Sequence, residues 1–172
     1  MIRILGIDPG SLLTGYGIIE MDGNYAKHVT HGLIRLGEKD ISKKLQLLFR
    51  ELITVIHEFR PNEVSIEKVF LHKNVDSALK LGQARGCAIT ACAEKGLPIY
   101  EYAATQVKKA TVGKGHATKQ QIQHMVKVLL CLDSNPQADS ADALAIALCH
   151  GHSREGLLRM NEAKIARKGT LQ

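Results

Sequence analysis

A chain of 172 residues with 45% apolar and 23% charged residues has the makeup of one globular domain with a sizeable core, which excludes a disordered or fibrous chain. Aromatic residues reach only 4% and Trp is absent, so the core must be built from Leu, Ile, Val and Ala. A formal net charge of +6 favours a polyanionic partner, and no stretch is apolar for long enough to span a bilayer.

Residues 2–7 (IRILGI) read as a buried strand, ended by Asp8-Pro9-Gly10. A second strand begins with GYGIIE at 15–20 and a third covers 25–36, with Asp22-Gly23-Asn24 as the turn of an antiparallel meander. Leu45, Leu48, Leu52, Ile53 and Ile56 then recur at helical spacing within 42–59, and after Pro61 residues 63–69 make a fourth strand. A helix over 76–95 carries Gly82, Gly86 and many alanines, small residues that permit close approach within the domain or between subunits. A fifth strand at 97–102 and the loop VGKGH at 112–116 precede a third helix over 118–132. Asn135-Pro136 breaks the chain before the last helix, 139–150. Residues 153–172 are polar and basic and read as a disordered tail beyond a folded domain of residues 1–152. Antiparallel strands followed by alternating helix and strand argue for an α/β domain, one mixed five-stranded sheet with helices on both faces.

Cys87, Cys92, Cys131 and Cys149 form no C-x-x-C pair and lie in apolar segments, so reduced core thiols are expected rather than zinc ligands, even with His150 and His152 beside Cys149. The apolar run at 4–7 is too short for a signal peptide, and a cytoplasmic protein follows. VGKGHATK lacks the Walker spacing and reads as a flexible loop over a polyanion.

Acidic residues stand at the ends of several elements. Asp8 closes the first strand, Glu67 the fourth, and Asp139 and Asp142 open the last helix. Each has an ordinary explanation: a turn former before Pro-Gly, a strand-end charge, and helix caps favoured by the dipole. Together they admit another. If the first and fourth strands are parallel neighbours, Asp8 and Glu67 stand side by side, and residues three apart on a helix share a face that can aim at the same point. Four carboxylates so placed repel one another unless cations intervene. Hard oxygen donors suit Mg2+, and two such ions activate water and stabilise the leaving oxygen of a phosphodiester. That chemistry joins an acidic site to a basic chain.

The stretches GIDPGSLLTGYGIIE, IEKVF followed by KNVDSALKLGQARG, EYAATQVKKATVGKG and NPQADSADALAIA, in that order, closely resemble the RuvC family of bacterial Holliday-junction resolvases, over residues 4–152. The resemblance implies a ribonuclease-H-like fold and a homodimer that cuts four-way junction DNA with paired, symmetric, metal-dependent cleavage during recombination and repair. It places an acidic tetrad of metal ligands and catalytic groups on Asp8, Glu67, Asp139 and Asp142. Basic catalytic and DNA-binding residues fall on Lys108 and Lys119, and a DNA-binding aromatic falls on Phe70. Two Mg2+ ions per site, with Mn2+ able to substitute, and cooperation with a branch-migration motor are implied as well. The residues themselves leave Phe70 open between stacking on an unpaired base and closing the core. They leave both lysines open between phosphate contacts and a solvated surface. For the dimer, the helix with Ser77, Ala78, Gly82, Ala84 and Gly86 supplies small residues, and Leu79 and Leu81 apolar contact.

Three other readings compete. A sugar kinase or actin-like ATPase has a first phosphate loop like Asp8-Pro9-Gly10-Ser11, but closes two related domains in a much longer chain. A non-catalytic junction-binding module would leave the acids merely structural. A ribonuclease acting on a hybrid or branched substrate would use the same site.

Overall fold

Alternation along the strands decides which residues go to which face of the sheet. The computed structural model of the chain describes residues 1–37, 40–68 and 75–169. Strands β1 (Ile2–Asp8), β2 (Leu13–Asp22) and β3 (Tyr25–Arg35) form the antiparallel meander. Strands β4 (Glu63–Glu67) and β5 (Ile99–Tyr102) extend the sheet in parallel from the other side of β1, in the order β3-β2-β1-β4-β5. Leu5, Ile7, Ile18, Val64 and Ile66 turn to one face, where they pack with Leu48, Leu52 and Ile56 of α1 (Ile41–Phe59) and Ala84, Ala88 and Cys92 of α2 (Val75–Glu94). Ile4, Ile19, Met21 and Tyr102 turn to the other, against α3 (Ala104–Val112), α4 (Lys119–Leu129) and α5 (Ala138–Gly169). This is the ribonuclease-H-like arrangement expected, with a core on each side of one sheet.

Helix α5 is the element that the site depends on. Its stretch from Ala143 to Cys149, ALAIALC, is apolar on every side and buried, as a helix must be when sheet and helices enclose it. It lies almost directly on the backbone of β1 and β2 because glycines face it. A Cβ at Gly6 would stand 2.0 Å from the Ala143 carbonyl oxygen, one at Gly15 2.0 Å from that of Asp139, and one at Gly17 2.6 Å from Leu144 Cγ. The G-x-G of GYG therefore has a packing reason: residues two apart share a strand face.

Farther along, a buried polar group ties the same helix to the sheet. His150 is fully buried, with Nε2 2.7 Å from Glu63 Oε2 and Nδ1 2.7 Å from the Tyr102 hydroxyl. Arg154 Nε donates to both Glu63 oxygens at 3.0 Å. With both ring nitrogens of His150 engaged, the zinc alternative for this segment lapses.

The structure corrects the sequence reading in four places. The last helix does not end near His150 but runs to Gly169, through most of the segment read as a disordered tail. Polar composition suggested disorder, but after Pro136 the chain has no proline, and it is rich in helix formers. An unexpected helix, α3, follows β5. It is only nine residues long and starts after Ala103 rather than a capping residue, with the Gln106 side chain accepting from the Ala103 amide at 2.9 Å. Cys131 is exposed, not a core thiol, because it sits in the left-handed chain reversal (φ 50°) just after α4. Strand β4 ends at Glu67, and Val69 lies outside the described residues. Among the described residues no helix is long and apolar enough to cross a membrane.

Candidate active site

Three elements meet where β1 ends. Parallel pairing runs through Ile7↔Ile66, so the next position sets Asp8 beside Glu67 on adjacent strands, both turned toward α5. Gly15 is paired with Asp8 on the other side, and its bare Cα lets the Asp139 carbonyl come down onto the sheet. The first turn of α5 thus arrives over the end of β1. Carboxylate oxygens of Asp8, Asp139 and Asp142 lie within 4.8 Å of one another. Glu67 is not among those three but belongs to the same electrostatic cluster, since its charge raises Asp8 and that of Asp142 raises Glu67.

The charges are uncomfortable together. Asp8 is pushed up to about 8, first by burial and then by Asp142, Glu67 and Asp139, with Lys119 opposing. Burial, followed by Asp142, raises Glu67, against the pull of Lys108 and Lys119. Asp142 is raised mainly by burial, with Lys119 the largest opposing influence. The two lysines read from the sequence therefore both reach the cluster. Lys108 comes from α3; Lys119 opens α4, inside the Thr118–Gln121 capping box. Lys119 Nζ stands 3.9 Å from Asp142 Oδ2 with its side chain 70% exposed, a loose pair that leaves the ammonium free to meet another anion. Phe70 lies outside the described residues.

Capping does not account for the two aspartates of α5. Among the described residues neither accepts a hydrogen bond from a first-turn amide; instead the Ala141 amide and the Ser140 hydroxyl bond the Gln137 carbonyl at 2.8 and 2.9 Å. What remains is a set of carboxylates turned to a common point. An all-oxygen, multiply negative donor set suits a hard divalent cation.

A pH dependence follows for the metal-free protein. Asp8 binds its proton more tightly folded (about 8) than unfolded (3.8), so folding stability is lost as pH rises through that interval. Each kcal/mol lost lowers the melting temperature by roughly 2–4 °C in a chain of this size. Without divalent metal, melting is expected several degrees lower at pH 8.5 than at pH 5.5, and Mg2+ at pH 8.5 restores it. Thermal melts with and without metal check this; a metal-free curve that rises steadily with pH refutes it.

Comparison with known proteins points the same way. The family model for crossover junction endodeoxyribonuclease RuvC matches residues 4–150. Crossover junction endodeoxyribonuclease RuvC of Marinobacter nauticus is 55% identical over 160 residues, 93% of this chain and 91% of its own. The protein of that name from Hahella chejuensis is 46% identical over 172 residues, all of both chains. Among solved structures, T. thermophilus RuvC in complex with Holliday junction substrate superposes with a TM-score of 0.84 at 33% identity, covering 91% of this chain and 97% of that one.

Proposed function

The chain belongs to the crossover junction endodeoxyribonuclease RuvC family, and from that premise we propose that it resolves Holliday junctions by metal-dependent hydrolysis of DNA phosphodiesters at the cluster of Asp8, Glu67, Asp139 and Asp142. The observation that carries this reading is the convergence of carboxylates from β1 and α5 on one point, in a chain with a net charge of +6. The four carboxylates would hold two Mg2+ ions, for which Mn2+ could substitute. Bound there, the metal supplies Lewis-acid stabilisation of the charge that develops on the phosphodiester. The chain's own groups do the rest. The acids form a fixed array whose mutual repulsion a bound cation would relieve. Lys108 and Lys119, on two separate helices at the rim, neutralise backbone phosphates and orient the strand to be cut. Phe70 stacks on an unpaired base near the junction centre.

Cleavage of a four-way junction compared with an RNA–DNA hybrid, in Mg2+, tests the reading. Paired cuts in the junction and no cutting of the hybrid are expected, and the reverse preference overturns it. Alanine at Lys108 or Lys119 is expected to weaken cleavage by tenfold or more, about 1.4 kcal/mol or more in the barrier. Either change should also flatten the salt dependence of junction affinity by about one ion per lost contact. Wild-type cleavage with an unchanged salt slope would mean both are mere surface.

Two coordinated cuts require two such clusters, and the described residues hold one. We therefore take the acting species to be a twofold homodimer that works in the cytoplasm together with a branch-migration motor. Helix α2 supports this choice of interface. Val75 and Leu79 are 80% and 60% exposed, and a Cβ added at Gly82 or Gly86 meets nothing within 4 Å, so the chain's own core gives those glycines no packing reason. Glycine in mid-helix is unfavourable by about 1 kcal/mol relative to Ala, and close approach of a second helix accounts for it. Ala84, by contrast, is buried in the chain's own core and leaves the proposed interface. Gly82→Glu is expected to shift the protein from dimer to monomer in sedimentation and to abolish paired cutting. A dimer unaffected by the change moves the interface elsewhere.

A further inference from the structure

Glu67 ends a strand of five residues, yet it must hold its carboxylate still beside Asp8. Part of its support comes from the back of the sheet. Glu101 of β5 shares a strand face with Ile99, which packs with the α1–α2 core, so it lies on the side away from α5. There Arg85 of α2 forms an ion pair with Glu101 through Nη2, while its Nε donates to the Glu67 carbonyl oxygen at 3.2 Å. The Arg85 side chain is 21% exposed. On its other flank the strand end is pinned by the Lys68 amide, which donates to the Tyr102 carbonyl at 2.8 Å. We infer that Arg85 is a positioning residue for the active site, fixing the backbone of Glu67 so that its carboxylate stays in register with Asp8.

Chemistry and geometry both assign the role to Arg85 and not to a generic cation. A guanidinium is a planar fork whose separate N–H groups serve two acceptors at once, here a carboxylate on one strand and a carbonyl on the next. An ammonium on a flexible stem lacks that fixed spacing. Arg85 touches the peptide of Glu67, whereas Lys108 and Lys119 are the cations that act on its carboxyl group. Its effect on the site is therefore one of placement. Outer partners that orient a metal ligand typically account for 10–100-fold in metal affinity or activity.

The inference rests on the reading of the four acids as metal ligands, and its test separates the two. Mn2+ binding to the protein without DNA, melting temperature, junction affinity without metal, and the metal concentration giving half-maximal cleavage are measured for wild type, Arg85→Met, Arg85→Lys and Glu101→Gln. Arg85→Met and Arg85→Lys are expected to weaken Mn2+ binding about tenfold or more. Both should raise the metal needed for cleavage in proportion, with junction affinity unchanged. Glu101→Gln, which frees one arm of the fork, gives a smaller shift in the same direction. Should Arg85→Met not fold, Arg85→Lys and Glu101→Gln decide. Wild-type Mn2+ affinity in folded Arg85 variants overturns the inference alone. A wild-type protein that binds no Mn2+ overturns the metal-site reading and this inference with it.

Discussion

Asp142→Asn is expected to lower cleavage of a four-way junction in Mg2+ by more than a hundredfold, about 2.7 kcal/mol in the barrier, while junction binding is kept or improved. The change removes one negative oxygen and little else. Asn starts a helix as well as Asp does, so a purely structural Asp142 predicts normal activity. In the structure, however, Asp142 shares the point where Asp8 and Asp139 converge, and it is the largest single charge acting on Asp8. Its loss deprives the cation of a donor and brings the Asp8 proton affinity down toward the ordinary carboxylate range. Affinity for DNA moves the other way, because less negative charge then faces the phosphates. Cleavage kinetics, junction binding and the pH dependence of melting in the same variant form one test. Normal Mg2+-dependent cleavage by Asp142→Asn would return the aspartates of α5 to the role of helix starters.

Gly15→Ala is expected to damage the site by a different route, through the placement of a helix. The added Cβ would lie 2.0 Å from the Asp139 carbonyl oxygen and 2.5 Å from its carbon, backbone atoms that cannot swing aside as a side chain can. Either the start of α5 lifts by about 1 Å or β2 distorts. Overpacking of this kind typically destabilises by about 1–3 kcal/mol, which corresponds to roughly 2–12 °C in melting temperature here. The activity loss is the larger effect, because a displacement of about 1 Å in a reacting array is enough for roughly a hundredfold. Gly37→Ala, where the new methyl meets nothing within 4 Å, is the matched control and is expected to behave as wild type. A Gly15→Ala protein that melts and cuts like wild type would show that the close seat of α5 on β2 is not what aligns Asp139 with Asp8.

Much of this architecture is local and therefore legible in the chain. Period-two alternation in IRILGI and GYGIIE marks half of each strand for each face, and Asp8 falls at a strand end because Pro9-Gly10 stops the strand there. Helical spacing gave α1, and an apolar run behind two aspartates gave the buried start of α5. Motif order and the family resemblance singled out four acids as candidates. What sequence alone could not decide was which acids meet. Glu63 and Glu67 stand on the same strand and the same face, four residues apart, with nothing local to tell them apart. Only the fold gives Glu63 to His150 and Arg154 and leaves Glu67 beside Asp8. The helix α3 and the exposure of Cys131 were hidden for a related reason. Each depends on partners far along the chain or on a short stretch whose propensity is weak. Side-chain periodicity reports a residue's own element and face. Convergence depends on how elements approach one another, and here that is set by bare glycine Cα atoms on β1 and β2, whose meaning appears only when α5 is laid across them.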